Sequence, residues 1–182
     1  MLELQTAKHS LWTCVSAQPS ALPPLLLVSH ASWATLTVRE LAAAGLHVRD
    51  ADAVGVLVGV GEIQPEGPSN SWQWVFLTDA SCWDASSPIP RLLAVRRGGS
   101  TLGTDWFDPG VRPGACCVRF RGLAPEGADE RGDCVVARLR RAGTGELLDV
   151  GDPRGRELEA WAKRHPACLE QCADTVRRLL GE

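Results

Sequence analysis

The chain has 182 residues, of which 45% are hydrophobic and 23% charged, and these proportions exclude a wholly disordered chain. No apolar run is long enough to cross a bilayer. The apolar segment 22–28 contains two prolines and follows no basic segment of the signal-peptide kind. We therefore expect a soluble, intracellular domain of ordinary size that does not bind a membrane.

The formal net charge of −3 is unevenly distributed along the chain. Residues 1–88 hold 3 Lys/Arg against 8 Asp/Glu, residues 89–142 hold 10 against 6, and residues 143–182 hold 6 against 8. The local field, rather than the total charge, steers an anionic ligand. The middle segment, at +4, is therefore where we expect an anionic partner to bind.

The N-terminal part of the chain is predicted to form a strand, a linker and a short helix. A loose alternation in residues 2–12 predicts a strand, and the proline-containing segment 18–24 predicts a linker. Because this strand has no partner nearby, we assign residues 1–30 to the end of a preceding domain. Residues 36–44 predict a short helix that ends at Gly45.

Five strand-like runs then predict a small β-barrel, in a domain that we place at residues 31–150. The strands are expected at residues 54–63, 72–78, 91–97, 115–123 and 134–141, with a short helix at 101–109 between the third and fourth. In the first strand, alternation assigns the valines to the barrel core. It assigns the glycines to the other face, where they would permit sharp curvature or the close approach of another backbone.

Residues 151–182 predict C-terminal α-helices. Asp152 followed by Pro153 is typical of a helix start, with aspartate as N-cap and proline in the first turn. Pro166 opens a second helix, in which apolar residues recur at helical spacing.

The predicted barrel carries aromatic and arginine side chains in period-2 rows. Period 2 places Trp72, Trp74 and Phe76 on one face of the second strand, and Val75 and Leu77 on the other. If the aliphatic residues fill the barrel, the aromatics face a groove and can stack on bases; otherwise they are core. The arginines suit phosphate contacts, although such a row is more often an ordinary solvated face. The candidate arginines are Arg96, Arg119, Arg121, Arg138 and Arg140.

No pattern indicates catalysis, a cofactor or a metal site. The four histidines accompany no activated serine or cysteine, and the glycines of the first strand do not form a phosphate loop. Seven cysteines without a Cys-x-x-Cys pair argue against a disulfide framework and a zinc ribbon. Packing as small buried residues is the ordinary interpretation of Cys168 and Cys172. A metal site that includes the nearby His165 is the second interpretation. We do not expect an enzyme.

The order of these segments resembles the third OB fold of the breast cancer type 2 susceptibility protein family. The similar segments are Val-Gly-Val-Leu-Val-Gly-Val (54–60), Trp-Val-Phe-Leu-Thr-Asp (74–79), Arg-Leu-Leu-Ala-Val-Arg (91–96) and the C-terminal Cys172-Ala-Asp. Residues 4–12 resemble the closing strand of the family's second OB fold. A Ser/Pro-rich insertion at 81–88 departs from the family pattern.

The resemblance implies a mainly β fold, with a five-stranded OB barrel and C-terminal helices. It further implies a nuclear, single-stranded-DNA-binding module of a mediator of homologous recombination, active in double-strand break repair. Its partners would then be single-stranded DNA and other parts of a mediator complex, with a RecA-like recombinase reached indirectly. The alternative is a protein-interaction OB fold that does not bind nucleic acid itself.

Overall fold

A computed structural model describes residues 35–68, 70–83, 91–100, 107–149 and 151–181 of the protein. The predicted segment at 1–30 and most of the predicted helix at 101–109 lie outside these ranges. Residues 107–109 form no helix. None of the described helices is both long and apolar enough to cross a membrane.

The described elements follow the predicted order. The strands are β1 (Thr35–Leu36), β2 (Ala51–Val60), β3 (Gln64–Pro65), β4 (Asn70–Thr78), β5 (Leu92–Ser100), β6 (Cys117–Ala128) and β7 (Cys134–Leu147). The helices are α1 (Val38–Ala44), α2 (Pro153–Arg164) and α3 (Pro166–Leu180), with single 3-10 turns at Gly45–His47 and Ala80–Cys82. The five predicted strands and both C-terminal helices are thus confirmed, although β6 and β7 run beyond their predicted ends.

The long strands pair in a ring. The sheet order is β1-β2-β6-β7-β5-β4-β3, and β2 also pairs with β4, so that β2, β6, β7, β5 and β4 form a ring in which each strand has two neighbours. The β5–β7 pairing is parallel, whereas the other pairings within the ring are antiparallel. A register shift between Leu57 and Gly59 marks a bulge in β2.

Aliphatic and aromatic side chains fill the interior of the ring. Val75, Leu77, Leu93 and Val95 belong to this core, as the period-2 pattern predicts, and Phe120 is fully buried among them. At the rim, the buried Gln73 side chain donates to the Gly61 and Phe107 carbonyls and accepts from the Phe107 N–H, so its amide is satisfied.

A second core lies between the outer face of the ring and the helices α2 and α3. Leu158, Trp161, Leu169, Cys172 and Val176 supply the helix side of this core. The ring side includes Val54, Val56 and Val58 of β2, so the predicted assignment of these three valines to the barrel interior is wrong. After the bulge, Val60 belongs to the interior core, as predicted. Both faces of β2 are buried, and alternation alone does not tell two buried faces apart.

Glycines let α3 lie close against the ring. A Cβ at Gly59 would lie 2.7 Å from Val176 Cγ1, and one at Gly114 would lie 2.7 Å from Leu169 Cδ1. Gly114 also has a φ of +80°, which other residues rarely adopt. The close approach predicted from the β2 glycines is therefore made at Gly59 by a side chain of this chain's own helix.

Candidate nucleic-acid interface

Two of the three aromatics predicted to form a stacking platform are buried. Trp74 is 7% exposed and Phe76 is 0% exposed. They do point outward from the ring, as predicted, but α2 and α3 cover them and both belong to the second core. The expectation that Trp74 and Phe76 face an open groove is therefore wrong, because the predicted C-terminal helices pack on that face.

Trp72 is the aromatic of this row that keeps an accessible surface. It is half-buried at the start of β4, where its ring centroid lies 5.7 Å from that of Trp74 in an edge-on arrangement. The guanidinium carbon of Arg96 lies 5.0 Å from the Trp72 ring centroid, which is a cation–π distance. Arg96 Nη2 also donates to Glu66 Oε1 at 3.0 Å.

Each of the five predicted phosphate-binding arginines has a carboxylate partner. Besides Arg96, the pairs are Arg138 with Glu126 (3.4 Å), Arg140 with Asp50 (2.9 Å), Arg121 with Glu146 (3.3 Å), and Arg119 with both Glu146 (3.4 Å) and Asp152 (2.7 Å). An exposed ion pair contributes only about 0–1 kcal/mol, so a phosphate can replace the carboxylate at little cost. The exposed pairs therefore reduce phosphate binding without preventing it.

Arg119 is the least available of these arginines because it holds α2 in place. Its side chain is 23% exposed, and its Nη2 donates to Asp152, the N-cap residue of α2. The Asp152 carboxylate also accepts from the Gly155 and Arg154 N–H groups. Gly155 is the largest cause of the lowered pKa of Asp152, and Arg119 lowers this pKa further.

The predicted nucleic-acid-binding residues therefore lie in three separate places. Trp74 and Phe76 lie under the helices, whereas Arg119 lies at the start of α2 and Arg121 shares its partner Glu146 with Arg119. The remaining four lie together on the part of the outer face that the helices leave open. Arg96 and Arg138 are register neighbours on β5 and β7, and Arg140 follows Arg138 at the next position on the same face. We call this group the open face; its members are Trp72, Arg96, Arg138 and Arg140.

The carboxylates that neutralise the open face are residues that the sequence does not identify. Glu66 lies in the connection between β2 and β4, and Glu126 lies on β6, whereas Asp50 immediately precedes β2. Glu66 is 30 residues from Arg96 in the chain. No periodic pattern links positions so far apart, so the sequence carries no local signal of these pairs.

The cysteines and His165 serve packing in the described structure. Burial raises the pKa of Cys82 to about 12, and that of Cys117 and of Cys172 to about 11, so these thiols stay protonated at neutral pH. His165 stacks on Trp161, with ring centroids 5.4 Å apart, and its Nδ1 lies 2.8 Å from the Trp161 carbonyl. Among the described residues, no three His, Cys, Asp or Glu side chains are grouped to hold a metal ion.

Solved structures provide the comparison with known proteins. One is a chain of a replication protein A heterotrimer bound to single-stranded DNA, matched with a TM-score of 0.50 and 13% identity over 77% of this chain and 30% of that one. Another is the OB domain of Ta0387 from Thermoplasma acidophilum, with a TM-score of 0.39 and 12% identity over 60% of this chain and 84% of that one. No protein-family model matches the sequence, and no curated protein matches it.

The match to the replication protein A chain and the ring topology show an OB fold. In OB folds, oligonucleotides bind on the face of the second and third strands and on the flanking loops. These strands are β4 and β5 in this chain. The helices α2 and α3 cover the part of that face that holds Trp74, Phe76 and Ala94, and they leave the open face uncovered. The chain spans 30% of the length of the replication protein A chain that it matches.

Proposed function

We propose that this chain is a non-enzymatic OB module that binds single-stranded DNA through the open face. The observation that carries the proposal is the contact of Arg96 with Trp72 on the two strands that bind oligonucleotides in OB folds, with Arg138 and Arg140 on the neighbouring strand β7. Arginine supplies phosphate contacts and tryptophan supplies a stacking surface. The replication protein A match, a structure solved with single-stranded DNA, supports the proposal.

The ion pairs of the open face predict modest affinity. Each arginine exchanges a carboxylate for a phosphate when DNA binds, so only the difference between the two contacts contributes to binding. With two of the three aromatics of this row buried, stacking is limited to Trp72 on this strand. We therefore expect a strong dependence on salt and a need for neighbouring OB folds to reach high affinity.

We further propose that the module belongs to a nuclear mediator of homologous recombination. The support is the ordered resemblance of residues 54–60, 74–79 and 91–96 to the third OB fold of the breast cancer type 2 susceptibility protein family. In that setting the partners are single-stranded DNA and other parts of a mediator complex, with a RecA-like recombinase reached indirectly. Loss of recombinational repair in cells that lack the chain is the test of this role.

We expect the double substitution Arg138→Ala and Arg140→Ala to flatten the salt dependence of DNA binding. Each phosphate contact to a single strand contributes about 0.7 to the slope of log K against log salt, so two lost contacts lower the slope by about 1.4.

We expect Trp72→Ala to weaken binding by about 1–3 kcal/mol, because a stacked base is lost. Fluorescence anisotropy of a labelled oligothymidylate, titrated at several salt concentrations, measures both effects.

Arg154→Ala is the matched control for these variants. The Arg154 side chain is 45% exposed, like that of Arg140, and it also pairs with a carboxylate, but it lies on α2. We expect its salt slope to equal that of the unsubstituted chain. Equal slopes for the control and the double variant would remove Arg138 and Arg140 from the DNA contact.

The second candidate function is a protein-interaction OB fold without nucleic-acid binding of its own. The observation that favours it is the burial of Trp74 and Phe76 together with the pairing of all five candidate arginines. A folded chain that shows no saturable binding to oligothymidylate at low salt would favour this function over the first.

A further inference from the structure

A cavity of about 700 Å³ lies at the opposite end of β5 and β7 from the open face. Its walls come from the 3-10 turn after β4, the start of β5, the loop between β6 and β7, and α3. We call it the arginine pocket. Its lining includes Trp83, Arg91, Arg131, Gln171, Thr175 and Arg178.

Arg91 and Trp83 form a flat surface in the pocket. The Arg91 guanidinium carbon lies 4.4 Å from the Trp83 ring centroid. The side chain is held from one further side, because Arg91 Nη1 donates to Gln171 Oε1 at 3.0 Å, and the backbone N–H of Arg91 donates to the Asp133 carbonyl at 3.3 Å. A guanidinium fixed in this way is already ordered for a planar or anionic ligand.

The arginines of the pocket differ from those of the open face in their partners. Among the described residues, neither Arg91, Arg131 nor Arg178 forms an ion pair with a carboxylate. Arg178 instead donates to Thr175 Oγ1 at 2.9 Å. Asp133 and Asp174 also line the pocket, but Asp174 is paired with Arg177. The described lining of the pocket therefore carries a net positive charge.

We propose that the arginine pocket binds a single nucleotide through its phosphate. Arg178 and Arg131 supply charge to the phosphate, the Arg91–Trp83 surface packs against the base, and Gln171 and Thr175 offer polar contacts. The inference rests on the proposed function in one respect, namely that the ligand is a nucleic acid. The loop between the fourth and fifth OB strands, which carries Arg131, flanks the oligonucleotide site in this fold.

The test uses thymidine monophosphate as the probe and the full chain as the protein. We expect Arg178→Ala to weaken its binding about tenfold or more, because a charged hydrogen-bond donor to phosphate is lost. Arg164→Ala is the matched control, since Arg164 is an exposed arginine of α2 that donates to the Ala160 carbonyl and does not line the pocket. Arg91→Lys keeps the charge and removes the planar stack. We therefore expect it to weaken the binding of thymidine monophosphate more than that of inorganic phosphate.

Each outcome decides the proposal. Binding that Arg178→Ala weakens and Arg164→Ala preserves supports it. The proposal is overturned if millimolar thymidine monophosphate does not bind or if the two variants have equal effects. It is also overturned if a polyglutamate peptide binds equally well and competes with the probe. The double variant Arg138→Ala and Arg140→Ala separates this test from that of the proposed function. If the double variant weakens oligothymidylate binding while Arg178→Ala leaves thymidine monophosphate binding unchanged, the pocket proposal fails and the open face stands. If Arg178→Ala weakens thymidine monophosphate binding while the double variant leaves oligothymidylate binding unchanged, the reverse holds.

Discussion

Deletion of residues 151–182 is expected to leave a chain that does not fold cooperatively. The helices α2 and α3 bury Leu158, Trp161, Leu169 and Val176 against the ring, and each fully buried side chain of this size contributes about 1.5–3 kcal/mol. Their sum is comparable to the whole stability of a typical domain, about 5–15 kcal/mol. Urea unfolding followed by circular dichroism measures the result, and we expect no cooperative transition.

This deletion also tests whether the helices are a removable cover of the proposed DNA-binding face. A cover would leave a folded ring with Trp74 and Phe76 exposed, and the shortened chain would then bind single-stranded DNA more tightly. Cooperative unfolding of the shortened chain together with tighter binding would therefore contradict the assignment of α2 and α3 to the core. Loss of folding would identify the helices as part of the OB domain's core.

Replacement of Phe76 by alanine is expected to lower the free energy of unfolding by about 3–5 kcal/mol, the usual cost of removing a buried aromatic ring. Phe76 is 0% exposed, and its ring centroid lies 6.3 Å from that of Trp74. Because the side chain cannot reach a base, DNA affinity per folded molecule should not change. Urea unfolding and an anisotropy titration of the same preparation measure the two quantities.

Leu147→Ala is the control for this substitution. Leu147 is also a large apolar residue of the ring but is 60% exposed, so we expect a change within about 0.5 kcal/mol. A Phe76→Ala variant that keeps its stability but loses DNA binding would restore Phe76 to the stacking platform that the sequence predicts.

The sequence predicts most of the ring because strand periodicity is a local property. Period 2 correctly places Val75 and Leu77 inside the ring and Trp74 and Phe76 outside it. Period 2 does not show which other elements cover the outer face of the ring. The helices that cover the aromatics are correctly predicted as elements, but their docking depends on contacts such as Val176 against Gly59, which join distant parts of the chain.

The candidate site is less predictable because it depends on partners rather than on residue types. Alternation identifies Arg119 as outward-facing, yet its carboxylate partner Asp152 lies 33 residues further along the chain. The contact of Arg91 with Trp83, which lies within the Ser/Pro-rich segment, is likewise invisible to periodicity. The sequence therefore predicts which residue types are available, and the fold decides which of them are free to bind a ligand.

The most direct test of DNA binding through the open face is a ¹⁵N-correlated NMR titration of the full chain with oligothymidylate at low salt. We expect saturable shifts of the Trp72 indole and of the Arg96, Arg138 and Arg140 side-chain signals, while the amides around Phe76 and Val176 stay unchanged. Shifts centred on Trp74, Phe76 and α3, or no shifts at all from a folded chain, would contradict binding through the open face.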